Sequence, residues 1–413
     1  MPTNPDAFGA AILARADELA AISERPGMIA RSFLTPQHRA AGEKILGWMR
    51  AAGMEAGFDA LGNVVGRYAG ADPSAPWILT GSHMDTVVDA GRYDGLFGIL
   101  TAIACVEALH AKGERLRHGI EVIAFGDEEG VRFGVSMMGS KALAGRFDAA
   151  TLQQRDANGV SLREALREFG CDPGAIASLA RDPAKVAVYV ESHIEQGPVL
   201  LDEALPVGVV TAIAGTTRVR VAVDGEAGHA GTVPMGRRRD ALAAASEMVL
   251  ALEAHCAASG GTLVGTVGKL AIPGEGAINV IPGRVEFAVD LRSGEDARRL
   301  EALAAIEARF RRIAEARRTR LAWEPFLHLD AAPCDPAEQA RLAQCIARQG
   351  VAVRHLPSGA GHDAMQFHGV APLAMLFVRC GNGGVSHNPA ETMTAEDADL
   401  ATRVLLDYLR AWK

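Results

Sequence analysis

The sequence has no apolar run approaching the ~20 residues needed to cross a bilayer, so no membrane-spanning helix is expected. It also lacks any basic cluster interleaved with aromatics, and its formal net charge is -8; a nucleic-acid partner is therefore not expected. The one basic run, RRR at 237–239, reads as the opening of a helix. Cysteines are few, and Cys105, Cys171, Cys256, Cys334, Cys345 and Cys380 form no CxxC pair. Reduced thiols in a cytoplasmic protein are the simplest expectation. MPTNPDAF lacks the basic segment and apolar core of a secretory leader, which agrees with that compartment.

What is present is length and core-forming residues. A chain of 413 residues, 49% hydrophobic and with 45 glycines, has room for two or possibly three domains around large cores. The chemistry gathers between His83 and Glu129, in SHMDT, GRYDG and FGDEEG. Trp77 to Thr80 reads as a short buried strand that delivers His83 and Asp85 to a loop. Ile120 to Phe125 reads as a second, delivering Asp127, Glu128 and Glu129. In an open α/β sheet ligands bind in the crevice outside such strand ends.

Any one of these acidic turns alone reads equally as a solvated loop. Two later runs end the same way, however: Val186 to Val190 lead into ESHIEQGP with His193, and Leu373 to Val378 lead into RCGNGGVSHNPAE with His387. Histidine with carboxylate suits zinc or manganese, and five ligands are one too many for a closed tetrahedral site. The set allows two divalent ions that share a carboxylate, a layout with which hydrolases activate water. Asp94, alone in a turn between Gly91 and Gly95, is the natural bridge. The apolar helix expected from Gly95 points its N-terminus at this cluster, where its dipole favours negative charge. Asp85, two residues after His83, is the expected acceptor that fixes the imidazole tautomer, with a plain turn residue as the alternative.

In the order GSHMDTV, GRYDG, DEEG, ESHIEQGP and SHNPAE, spread over nearly the whole chain, these motifs resemble the M20 metallopeptidase-like amidohydrolases. HIEQGP narrows the resemblance to the hydantoinase/carbamoylase branch. The resemblance implies that His83, Asp94 and His193 bind one metal ion, and Asp94, Glu129 and His387 the other. It implies that Glu128 is the general base and acid. A carboxylate so placed can take a proton from water and pass it to the leaving nitrogen.

After Pro206 the pattern changes. Val219, Val221 and Val223 alternate with polar residues, as in a sheet wet on one face. The expected order is a helix at about 237–257, strands at 262–272 and 282–291, a helix at 295–317 and a strand at 319–326. That βαββαβ order is ferredoxin-like. The expected fold class is therefore α/β: a mixed-sheet dinuclear metallohydrolase domain with helices on both faces, in two parts at 1–212 and 329–413, and an inserted domain at 213–328. The resemblance implies that the insert acts as a lid and carries a homodimer contact. It also implies that His229 in GEAGHAG steadies the oxyanion, and that Asn279 and Arg292 grip the substrate carboxylate. A guanidinium makes paired hydrogen bonds that lysine cannot reproduce. Gln196 is a further candidate contact. So is the loop SGAGHDA, with Gly361 and His362, although His362 reads equally as a structural loop histidine.

The expected substrate is a small ureido carboxylate. DEEGVRF resembles the allantoate amidohydrolases, whose reaction releases ammonia and CO2, more than the N-carbamoyl-L-amino acid hydrolases, which more often have asparagine where Asp127 stands. Hydrolysis of an N-carbamoyl-L-amino acid or N-carbamoyl-β-alanine is the alternative. A binding or scaffold protein that has lost the reaction is the reading from another class. Glu128 speaks against it, since a chain that activates no water has little use for a free carboxylate there.

Overall fold

Strands buried on both faces read as continuous apolar runs, and four such runs lie side by side at the centre of a nine-stranded sheet. Ile120–Phe125, Trp77–His83, Val186–Ile194 and Leu373–Val378 follow in that order, with every neighbouring pair parallel. Val64–Tyr68 and Val207–Ile213 extend the block antiparallel on its two sides. This computed structural model describes residues 7–274 and 276–412; the expectation drawn from MPTNPDAF falls largely on residues 1–6, outside that range. His83 pairs with Phe125 and His193 with Phe377. The C-terminal ends of the four strands are therefore level, and their loops share one edge.

Side-chain alternation along Val186–Ile194 assigns the two faces. Val188, Val190 and Ile194 join the core formed with helix Leu96–Ala111 and helix Ala395–Arg410. Tyr189, Glu191 and His193 point the other way: Tyr189 stacks on Phe367 at 4.2 Å, and the Ala364 amide donates to Glu191 at 3.0 Å. The Leu96–Ala111 helix is apolar nearly all round, as a helix enclosed by sheet and helices must be. It starts at Gly95, whose φ of 67° admits few side chains and whose missing Cβ leaves room for the His83 backbone and ring.

The chain divides into two compact units. One holds the chain up to Thr211, Cys334–Leu356 and the stretch from His362 onward; the other is Ala212–Pro333 with Pro357–Gly361. The second unit has the expected βαββαβ order. Its sheet runs Arg320–Leu329, Gly215–Asp224, Arg284–Ser293, Val264–Ala271, with every pair antiparallel. Val219, Val221, Phe287 and Val289 pack beneath helices Ala241–Ala257 and Asp296–Ala316. A separate ladder pairs Gly228–His229 with Val280–Ile281.

One helix start differs from expectation. RRR does not open the helix; Asp240 does, accepting the amides of Leu242 and Ala243 at 3.0 Å. Arg238 instead donates to the carbonyls of Val233 and Ala230, at 3.0 and 2.5 Å, and so clasps the loop after His229. All six cysteines are free, and among the described residues no helix is long and apolar enough to cross a membrane.

Candidate active site

The level strand ends bring His83, Asp94, Glu128, Glu129, His193 and His387 together. In each of two sets, His83 with Asp94 and His193, and Asp94 with Glu129 and His387, one donor atom per residue lies within 4.8 Å of the others. Asp94 belongs to both. Its Oδ1 lies 3.7 Å from His83 Nε2 and 3.3 Å from His193 Nε2, while its Oδ2 lies 3.1 Å from His387 Nε2. His387 Nε2 is also 3.4 Å from Glu129 Oε1. His83 is likewise grouped with Glu128 and Glu129, and His193 with Glu191 and His362.

The two inner histidines hold the tautomer that ligation needs. His83 Nδ1 meets the Asp85 carbonyl at 3.0 Å and His193 Nδ1 meets the Ile194 carbonyl at 2.9 Å. With Nδ1 committed to a carbonyl oxygen, each ring turns its Nε2 towards Asp94. The main-chain oxygen of Asp85 thus orients His83; its carboxylate stands 3.6 Å from Nδ1 and has other work. It accepts the amides of Glu128 and Glu129 at 3.0 and 3.1 Å, tying the DEE turn to the SHMD turn.

Charge in the cluster is unbalanced. Burial and the Asp363, Glu129 and Asp85 carboxylates raise Glu128 well above the usual carboxylate range, against the pull of His83. Burial also pushes Glu129 up to about 7. Burial alone would depress His83, but Asp85 and Asp94 outweigh it and raise the imidazole well above its ordinary value. Burial opposes ionisation of Asp94 too, yet His387 and His83 hold it well below the carboxylate range. The Asp94 carboxylate, 3.1 Å away, lifts His387 to about 8. Asp94 Oδ2 and Glu129 Oε1 are buried with no well-formed hydrogen bond, and what faces each is the same His387 ring. Buried carboxylate oxygens without a well-formed hydrogen bond, converging with imidazole nitrogens, fit a bound cation.

The other candidates divide between the units. Gln196 Nε2 donates to Asp94 Oδ1 at 3.1 Å and to Ser386 Oγ at 3.3 Å. His362 is buried edge-on against His193 at 4.4 Å, and Gly361 is half-buried. In the second unit the ladder sets His229 beside Val280, and the Ala230 amide donates to the Asn279 carbonyl at 2.9 Å, so His229 and Asn279 are neighbours. Arg292 donates to Asp290 at 2.7 and 3.2 Å and to the Gly359 carbonyl at 2.8 Å, which brings it to the SGAG loop.

Sequence reasoning missed Ser386 and Glu391. Glu391 is buried and accepts the amides of Tyr93 and Asp94 and the Ser386 hydroxyl, at 2.7, 3.3 and 2.8 Å. Both lie in the SHNPAE motif that supplies His387, and only that nearness to His387 hinted at them.

The profile of peptidase family M20/M25/M40 matches residues 79–411. An N-carbamoyl-L-amino acid amidohydrolase of Geobacillus stearothermophilus is 41% identical over 397 residues, covering 96% of each chain. An allantoate deiminase of Arabidopsis thaliana is 40% identical, covering 97% of this chain and 81% of its own. A crystal structure of a hydantoinase/carbamoylase family amidase from Burkholderia multivorans superposes with a TM-score of 0.92 at 34% identity, covering 98% of both chains.

Proposed function

Because this chain belongs to peptidase family M20/M25/M40, we propose that it is an amidohydrolase that opens a ureido C–N bond in a small carboxylate substrate. Allantoate is the preferred substrate, and an N-carbamoyl-L-amino acid or N-carbamoyl-β-alanine the alternative. The carrying observation is the Asp94 carboxylate, which faces the Nε2 atoms of His83, His193 and His387 at 3.7, 3.3 and 3.1 Å and is common to both ligand sets. His83, Asp94 and His193 would hold one divalent cation, zinc or manganese, and Asp94, Glu129 and His387 a second. Such ions, when bound, supply Lewis acidity towards the ureido carbonyl and the attacking water.

Glu128 then moves the protons. Burial and neighbouring carboxylates raise its proton affinity, which suits a group that takes a proton from water and returns it to the departing nitrogen. His229 receives the developing oxyanion. Its Nδ1 accepts the Gly231 amide at 3.0 Å, which leaves the ring proton on Nε2 as the donor. Arg292, its fork preset by Asp290, grips the substrate carboxylate with Asn279. Gln196, Gly361 and His362 complete the substrate contacts, Asp85 holds the turn that carries Glu128, and the second unit serves as lid and homodimer contact.

Allantoate is preferred on the DEEGVRF resemblance and on the polar side chains Gln196, Asn279 and Arg292, which suit its second ureido group. The alternative draws support from the 41% identity to the Geobacillus stearothermophilus enzyme. A substrate panel with zinc or manganese restored tests the choice, reading the carbon products because ammonia is common to both reactions. Faster turnover of allantoate is expected. Cleavage of carbamoyl amino acids with allantoate untouched would overturn the preference, and inertness towards the whole panel would favour a binding protein.

A further inference from the structure

We propose that Glu391 is a positioning residue that fixes the shared carboxylate of Asp94 and the His387 loop in register, and so sets the affinity of the cation held by Asp94, Glu129 and His387. The inference rests on the paired-cation reading above. Four residues close a ring: Gln196 Nε2 donates to Asp94 Oδ1 at 3.1 Å and to Ser386 Oγ at 3.3 Å, Ser386 Oγ donates to Glu391 Oε2 at 2.8 Å, and the Asp94 backbone amide donates to Glu391 Oε1 at 3.3 Å. The Tyr93 amide adds a bond of 2.7 Å to the same Oε1. The ring spans three strand-end loops that are distant in sequence.

Its fit is close on every side. Glu391 is 3% exposed, and a Cβ at Gly91 would collide with its carboxyl group, so the glycine turn that carries Asp94 is shaped around it. Gln196 in the ring, and His387 next to Ser386, stand in the left-handed region at φ 56° and 53°. Neither is a glycine, so each conformation is strained and persists because neighbouring contacts hold it. Glu391 touches no candidate ligand atom; it acts on Asp94 through the backbone and on His387 through Ser386. Groups of this kind behind a ligand typically change metal affinity 10–100-fold when removed.

The test strips the full-length protein with a chelator and titrates zinc or manganese against a chromophoric competitor. Wild type should show two binding classes, and His387→Ala identifies the class that includes His387. Glu391→Ala should weaken that class by about 10–100-fold while the other class stays within about threefold, with the melting temperature little changed. In the His387→Ala background it should change the remaining class by no more than about threefold. Glu391→Gln keeps an acceptor for the Tyr93 amide and should recover most of the loss. Should Glu391→Ala fail to fold, Ser386→Ala breaks the same ring, and selective weakening of the His387 class remains the expected result. Unchanged affinities, or equal weakening of both classes with a lower melting temperature, would overturn the proposal. A wild type with one class or none would instead overturn the paired-cation reading itself.

Discussion

In the first unit His83, Asp94, His193 and Glu391 are 3, 4, 1 and 3% exposed, and each is held at the end of a strand or in a loop tied to one. In the second unit His229 and Asn279 are exposed, carried on a ladder of two residue pairs and clasped from behind by Arg238. The difference matches what each group has to do. Candidate ligand atoms must sit within tenths of an ångström of one geometry, which buried strand ends provide for His83, Asp94 and His193, while His387, with a side chain 49% exposed, stands at the rim. Groups that meet a substrate arriving from solvent must be reachable before the reaction starts. Under the proposed function, the first unit is organised for chemistry and the second for recognition and for charge that develops late.

Four substitutions or conditions can break or sharpen that division. Glu128→Gln should lower kcat by roughly 10²–10⁴-fold with the cation content unchanged, because it removes a proton carrier and no ligand. Steady-state rates with elemental analysis of the same sample check it, and retained turnover would remove Glu128 from its role. His229→Ala should lower kcat by about 10²–10³-fold with little change in KM, the pattern of a donor used only as the oxyanion forms. A rise in KM at constant kcat would make it a ground-state contact instead. Arg292→Lys should raise KM by about 10–100-fold with kcat nearly kept, since one lost bidentate, charge-assisted contact is worth about 1.5–3 kcal/mol.

The smallest effect concerns pH. Burial holds Glu129 at about 7, and the Asp94 carboxylate holds His387 at about 8; both must lose their protons to bind a cation. Affinity should fall as pH drops through 8 and then 7, by about tenfold per pH unit for each proton displaced. Calorimetry in buffers of different ionisation enthalpy should record proton release on binding. Release that stays near zero across pH 6 to 9 would contradict the arrangement around His387.

The sequence was most legible where burial is complete. Leu373–Val378 is apolar throughout and Ile120–Phe125 is apolar but for the buried Glu121, so neither shows the polar stripe of a surface helix, and glycine turns punctuate their ends. The helices Pro336–Arg348 and Ala395–Arg410 were not anticipated, although Asp335 and Thr394 cap them with side-chain hydrogen bonds. Each shows the core a single stripe, Leu342, Cys345 and Ile346 in the first, scattered among charged residues. Strand order was out of reach, because the place of Leu373–Val378 beside Val186–Ile194 depends on contacts some 180 residues apart in sequence. For the same reason the sequence could propose that Asp94 is shared, but could not show Gln196, Ser386 and Glu391 closing around it.

Anomalous diffraction from crystals grown with zinc or manganese tests the central claim most directly. Two peaks flanking the Asp94 carboxylate are expected, one reached by His83 and His193 and the other by Glu129 and His387. A single peak, or peaks that Asp94 does not touch, would contradict the account.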